Sequence, residues 1–214
     1  MFRVVVYREP IMVEETSGTR KRKKSEVTDD YEPSVSSLRR TRTLIRDLIL
    51  SNDFDLFATF TFDPGKVRDR FSYASCYGKL QRWIHNQHEK SPDLIYLFIP
   101  EKHKSGAWHF HALLGYYNGT MRKTNHKTPY GADIYNITAY RGGFTTACYF
   151  DDKDRVTCYL LKYITKDFIK SFNQRRFFAS KNLRRPIKSN NAILDFSLPH
   201  KTIYENDYYQ LFEF

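Results

Sequence analysis

The chain reads as an α+β protein, and three stretches carry that reading. Residues 56–62 (Leu-Phe-Ala-Thr-Phe-Thr-Phe) are aromatic and β-branched and end in Asp-Pro-Gly turn chemistry, which marks a core strand. Residues 93–100 and 108–114 are two further apolar runs joined across Lys104-Ser105-Gly106, the pattern of a hairpin. Residues 154–172 repeat apolar side chains at Val156, Leu160, Leu161, Ile164 and Phe168, with Asp151, Asp152 and Asp154 at the start to complement a helix dipole.

The remaining elements follow in order. Residues 1–10 hold a short apolar run, Val4-Val5-Val6, expected to pair as an edge strand. Residues 14–33 are polar, with Arg20-Lys21-Arg22-Lys23-Lys24 followed by Asp29, Asp30 and Glu32, and are expected to be disordered or loosely attached. Such a run is a solvated segment, a phosphate-binding arm or, in a eukaryotic host, a nuclear address. From 34 to 51 the pattern predicts a basic helix with Leu38, Ile45, Leu48 and Ile49 inward and Arg39, Arg40, Arg42 and Arg46 outward. Residues 69–90 predict a helix packed through Phe71, Leu80, Trp83 and Ile84, with His85 and His88 exposed near its end. Residues 118–141 read as an insertion rich in Asn, Thr, Lys and Gly, either a substrate loop or a surface excursion. A strand is expected over 142–150 and another over 175–180; the tail from 203 is aromatic and acidic and carries no functional clue.

The most chemically informative residues are His109 and His111. Alternate side chains of a strand share a face, so the two imidazoles project together. With the turn centred near Ser105, Glu101 falls across from His109 at cross-strand distance, and a carboxylate joins the pair. His103 has the same parity and competes as a third ligand from nearer the turn. Two nitrogens and one oxygen suit Mg2+, Mn2+ or Zn2+, and an open position makes such an ion catalytic. The plainer reading is a structural histidine pair.

The helix beginning near 154 contains Tyr159-Leu160-Leu161-Lys162-Tyr163-Ile164-Thr165-Lys166. Spacings of three, four and seven put Tyr159, Tyr163 and Lys166 on one face, with Lys162 three residues from Tyr159. A phenol with a pKa of ~10 is a poor nucleophile at neutral pH, so a nearby cation or metal has to activate it. Tyr and Lys at the rim of an amphipathic helix are the plainer alternative.

In sequence order, Phe-x-Thr-x-Thr-Phe (57–62), Glu101 with His109-x-His111, and the doubled Tyr-x-x-Lys of 159–166 resemble the HUH endonuclease superfamily, specifically the rolling-circle replication initiators of small plasmids and single-stranded DNA phages. The resemblance spans roughly residues 34–186. It implies a central antiparallel sheet of about five strands, RRM- or ferredoxin-like, with helices on one face. It implies metal ligation by His109, His111 and Glu101, Mg2+ or Mn2+ as cofactor, and Tyr159 and Tyr163 as nucleophiles assisted by Lys166 or Lys162. Two-tyrosine members space their tyrosines as Tyr159 and Tyr163 are spaced, whereas single-tyrosine members need only one Tyr and the Lys three residues on. The implied reaction leaves a 5′-phosphotyrosine and a free 3′-hydroxyl on single-stranded or hairpin origin DNA. A related tyrosine transposase or relaxase and a non-catalytic single-strand-binding module are the alternatives.

Composition accords with a DNA-handling protein. The 214-residue chain has a formal net charge of +11, which favours polyanions. Its 16 Tyr and 17 Phe include rings able to stack unpaired bases. Arg39, Arg40, Arg42, Arg175, Arg176, Lys181, Arg184 and Arg185 are the expected phosphate contacts. Three cysteines without Cys-x-x-Cys argue against a disulfide framework or zinc ribbon and for a reducing compartment, the host cytoplasm or, in a eukaryote, the nucleus. No apolar run suggests a membrane span, and no Gly-Lys-Ser/Thr phosphate loop occurs, so a separate helicase and the host polymerase are the expected partners. The expected organisation is an N-terminal extension (1–33), a nuclease domain (34–200) and a tail (201–214).

Overall fold

Seven strands form the main sheet, and alternation along them decides what each face carries. The computed structural model describes residues 3–7, 35–164, 175–186, 195–205 and 209–214. The chain folds as two units, Val27–Pro186 and the combination of Met1–Glu26 with Ile187–Phe214. In the larger unit the elements are α1 (Val35–Leu50), β2 (Leu56–Phe62), α2 (Tyr73–Lys90), β3 (Ile95–Lys102), β4 (Trp108–Gly115), β5 (Met121–Lys127), β6 (Asp133–Ile137), β7 (Gly143–Tyr149), α3 (Lys153–Leu161) and β8 (Phe178–Ala179). The smaller unit holds β1 (Arg3–Tyr7), β9 (Lys201–Glu205) and β10 (Tyr209–Glu213).

The sheet order is β5-β6-β7-β2-β4-β3-β8, and every recorded pairing is antiparallel. The α+β class is therefore as expected, but the sheet has seven strands rather than five. The extra strands come from residues 118–141, which fold as the β5–β6 hairpin and lengthen the sheet. Residues 121–127 (Met-Arg-Lys-Thr-Asn-His-Lys) are mostly exposed, so no apolar alternation announces the strand.

Helices cover both faces rather than one. On β2 the side chains of Leu56, Ala58, Phe60 and Phe62 are buried with Cys76, Leu80, Trp83 and Ile84 of α2. Phe60 lies 4.8 Å from Trp83, 5.0 Å from Tyr140 and 5.4 Å from Phe98 between ring centroids, the offset and edge-on contacts aromatic cores favour. The opposite parity, Leu97 and Ile99 of β3 and Leu113 of β4, packs against Leu38, Ile45, Leu48 and Ile49 of α1 and Leu160 beside Ile164. All four expected inward residues of α1 are buried. Phe71, expected in the core, is 52% exposed, because α2 starts two residues later with Ser72 as its N-cap.

Helix α3 is shorter than its apolar period suggested. Asp152 caps its start by accepting from Arg155 N–H at 2.8 Å, but after Leu161 the bonds tighten: Lys162, Tyr163 and Ile164 N–H donate to Tyr159, Leu160 and Leu161 carbonyls three residues back. The Arg42 guanidinium then closes on the Ile164 carbonyl at 2.9 and 3.1 Å, tying α1 to this turn. The 168–172 part of the expected helix lies outside the described residues, as does the basic 14–33 segment.

In the smaller unit β1 pairs with β10 and β10 with β9, so the Val4-Val5-Val6 run is an edge strand. The aromatic tail pairs with it as strand, and Phe196, His200, Phe212 and Phe214 cluster there. Among the described residues no helix is long and apolar enough to cross a membrane, and all three cysteines are free.

Candidate active site

Two cross-strand rows frame the site. In one, Glu101 (β3), His109 (β4), Thr61 (β2) and Phe144 (β7) are paired in register; in the next, Ile99, His111, Thr59 and Thr146 are. The hairpin turn sets this register: Gly106 adopts φ +86°, which only glycine takes without strain, and His103 N–H donates to Ala107 O at 2.8 Å. Glu101 consequently stands across from His109, as the turn at Ser105 predicted. Its carboxylate reaches diagonally, however, and binds His111 Nε2 at 2.7 Å.

Each imidazole is held on its other side by a threonine. Thr59 Oγ1 is 3.1 Å from His111 Nδ1, and Thr61 Oγ1 is 3.3 Å from His109 Nδ1. A carboxylate only accepts, so in the neutral His111 ring Nε2 carries the proton and Nδ1 accepts from the Thr59 hydroxyl. Because a hydroxyl can also accept, the same pair of threonines can hold the reverse tautomer, with Nδ1–H donating and Nε2 free to ligate. The bond from His111 holds the Glu101 carboxyl below its ordinary range, while burial pushes the His109 imidazole down, favouring the neutral ring.

The tyrosines arrive from the opposite side. The Tyr163 hydroxyl donates to the Tyr159 oxygen at 2.6 Å, and the Tyr163 ring stacks on His111 with centroids 4.0 Å apart. Tyr159 stands edge-on to Phe57 at 5.5 Å, and Phe57 stacks near His111 at 6.0 Å. Tyr163 therefore joins Tyr159 at the site even though it lies beyond the last helical residue. Burial, then the bond to Tyr159, pushes the Tyr163 phenol well above the ordinary tyrosine range. Lys162 places its ammonium 5.7 Å from the Tyr159 ring centroid; Lys166 lies outside the described residues.

The donor chemistry of two imidazoles and a carboxylate fits a hard divalent cation, and hydroxyl groups at both Nδ1 atoms are the orienting partners that ligating histidines use. Among the described residues, no three His, Cys, Asp or Glu side chains are already gathered to hold a metal ion. Glu101 is closed on His111, and the competing His103 stacks on His109 at 5.3 Å with its Nδ1 3.1 Å from Ser105 Oγ. Each candidate third ligand thus attends one imidazole.

The expected phosphate-binding cations divide. Arg39, Arg40, Arg175, Lys181 and Arg185 are exposed. Arg42 is engaged by Ile164 O, Arg176 by Ser37 O and Thr41 Oγ1 at 3.0 and 2.8 Å, and Arg184 by Asp53 at 2.5 Å. Sequence reasoning missed the roles of Thr59, Thr61 and Phe57, although the Thr-x-Thr spacing within the strand was a usable signal. It also missed Arg70, whose charge acts on His109.

An antiparallel sheet carrying paired imidazoles and a carboxylate beneath two adjoining phenols is the arrangement of a nucleic-acid processing centre. The family profile for the ORF2 type of replication-associated protein matches residues 55–168, more than half of the chain and the whole of this site from Thr59 to Tyr163, and the chain belongs to that family. It is a replication-associated protein, consistent with the rolling-circle initiators its motifs resemble. No curated protein and no solved structure matches the chain.

Proposed function

We propose that this chain is a rolling-circle replication initiator that cuts and rejoins single-stranded or hairpin origin DNA through a tyrosine nucleophile. The observation that carries the reading is the meeting of the Tyr159 and Tyr163 hydroxyls at 2.6 Å beside the His111–Glu101 pair, in a chain of replication-associated family. A tyrosine oxygen attacks the scissile phosphorus: the tyrosyl O–P bond forms, the P–O3′ bond breaks, and the phenol proton leaves as the 3′-oxygen gains one. The products are a 5′-phosphotyrosine and a free 3′-hydroxyl. One phosphodiester replaces another, so bond energy is retained and the reverse reaction rejoins strands.

His109, His111 and Glu101 would hold Mg2+ or Mn2+, whose chemistry when bound is to polarise the phosphate and offset its developing charge. Thr59 and Thr61 orient the two imidazoles. Lys162, with Lys166, stabilises phenolate or phosphate charge. Tyr159 and Tyr163 are close enough for one to attack while the other is occupied, which suits the paired cleavages that end a replication round. Arg39, Arg40, Arg175, Lys181 and Arg185 supply sequence-independent affinity for the backbone. A separate helicase opens the duplex, and a host polymerase extends the 3′-hydroxyl.

Nicking of a labelled single-stranded oligonucleotide, with Mg2+, Mn2+ or chelator, tests this. Cleavage is expected only with the ion, and His109→Ala or His111→Ala should lower it on the order of 10²–10³-fold, as for removal of one transition-state stabiliser, while single-strand binding persists. Undiminished nicking by either variant would contradict the assignment; binding without cleavage by the parent chain would make it a non-catalytic module.

A further inference from the structure

The row that carries Glu101 and His109 does not stop at β2. It continues through Thr61 to Phe144 on β7, whose side chain is 67% exposed, an unusual place for a phenylalanine in line with polar site residues. Thr146, in the next row, is exposed as well, whereas Thr145 and Ala147 of opposite parity are buried. By the same alternation Asn136 of β6 and its partner Arg122 of β5 lie on the Phe144 side, since Tyr135 pairs with Ala147 on the other. The sheet face beside the imidazoles is therefore bare over β7, while α1 and α3 cover it over β3 and β4.

Cations attend the exposed rings. The Lys66 ammonium sits 5.7 Å from the Phe144 centroid and 3.6 Å from the Asp63 carboxylate, and Arg70 lies 5.2 Å from the centroid of Phe71. Phe71 rests near the β3–β4 turn, where a Cβ on Gly106 would meet its ring at 3.5 Å. With Arg122 and Lys162 exposed nearby in the fold, the strip is cationic and aromatic, which is the composition that holds unpaired nucleotides and is of little use to an apolar protein partner.

We propose that Phe144 and Lys66 form a nucleotide seat flanking the reaction centre. Phe144 stacks the base of a nucleotide adjoining the scissile phosphate, and Lys66 neutralises that nucleotide's phosphate. The seat lies two strand spacings, ~10 Å, from His109 along the row, so a strand held there is led across Thr61 to the imidazoles. The inference rests on the reading that this site acts on single-stranded DNA. Stacking is tolerant of sequence, so the seat acts before any origin sequence is recognised.

The test uses the full chain and oligothymidylate carrying 2-aminopurine at successive positions, with melting temperature as a fold control. Binding to the parent should quench the fluorophore most at one position. Phe144→Ala and Phe144→Leu should abolish that quench and weaken binding by roughly five- to hundredfold, the loss of one stacked base, whereas Phe144→Trp should restore both. Lys66→Gln should flatten the salt dependence by about one phosphate contact. If the parent binds and nicks but Phe144→Ala and Phe144→Leu match it in affinity and quench, the seat is wrong and the nuclease reading stands. A parent that neither binds nor nicks single strands overturns both.

Discussion

The two faces of β4 carry opposite duties although they are built from alternating residues of one strand. Trp108, Phe110, Ala112 and Leu114 point into a closed aromatic core beneath α2, where all four are buried. His109 and His111 point the other way, into polar contacts with Thr59, Thr61, Glu101 and Tyr163, and only Leu113 continues that face as core. A period of two lets the strand separate stability from chemistry without lengthening it. The same separation holds on β2, where Phe60 is core and Thr59 and Thr61 orient histidines.

The sharpest way to break this comparison is to cross the faces. Phe110→Ala removes a fully buried ring and should cost ~3–5 kcal/mol of stability, measured by denaturant unfolding, against a total of about 5–15 kcal/mol for a domain of ordinary stability. His111→Ala, one residue on, should cost less stability than that while removing catalysis. Equal losses of stability would show that the imidazole face is core after all.

A smaller effect should follow from Thr59→Val, which keeps shape and removes only the hydroxyl at His111 Nδ1. Metal response or nicking should fall roughly 10–100-fold, the size of an orienting-partner loss, with stability changed by no more than about 1.5 kcal/mol. Nicking at the parental rate would mean that Glu101 alone orients the ring.

The smallest effect is pH dependence. Glu101 titrates below its ordinary 4.5 in the folded chain, so its contribution is complete above 4.5 and is lost as pH falls through the folded value. For His109 the folded value lies below 6.5; between the two the unfolded ring binds the proton and the folded ring does not, so stability falls as pH drops below 6.5. Denaturation midpoints should decline on the acid side, and His109→Gln should flatten the limb just below 6.5. An unchanged limb in that variant would assign it to other groups.

What could be read from the chain divides along the same lines. Strands with strong alternation or aromatic runs (56–62, 93–100, 108–114) and the buried stripe of α1 were legible because burial imposes a period. The β5–β6 hairpin was not, since both faces of residues 121–127 are largely solvated and no period is imposed. The approach of Glu101 to the imidazoles followed from the turn, but its preference for His111 over His109 depends on a diagonal reach that register alone does not specify. The end of α3 was hidden because its stop is made by Arg42, more than a hundred residues away, capping Ile164 O. The same distance explains why Arg42, Arg176 and Arg184 looked available to DNA: their partners are backbone and side-chain oxygens remote in sequence.

The central claim is that Tyr159 and Tyr163 form the nucleophilic pair, and mapping the covalent peptide–oligonucleotide adduct tests it most directly. The protein is incubated with single-stranded DNA and Mn2+, digested, and analysed by mass spectrometry. The nucleotide should be found on Tyr159 or Tyr163, each single Phe variant should retain one transfer, and the double variant should form no adduct. An adduct on any other residue, or one that persists in the double variant, would contradict the account.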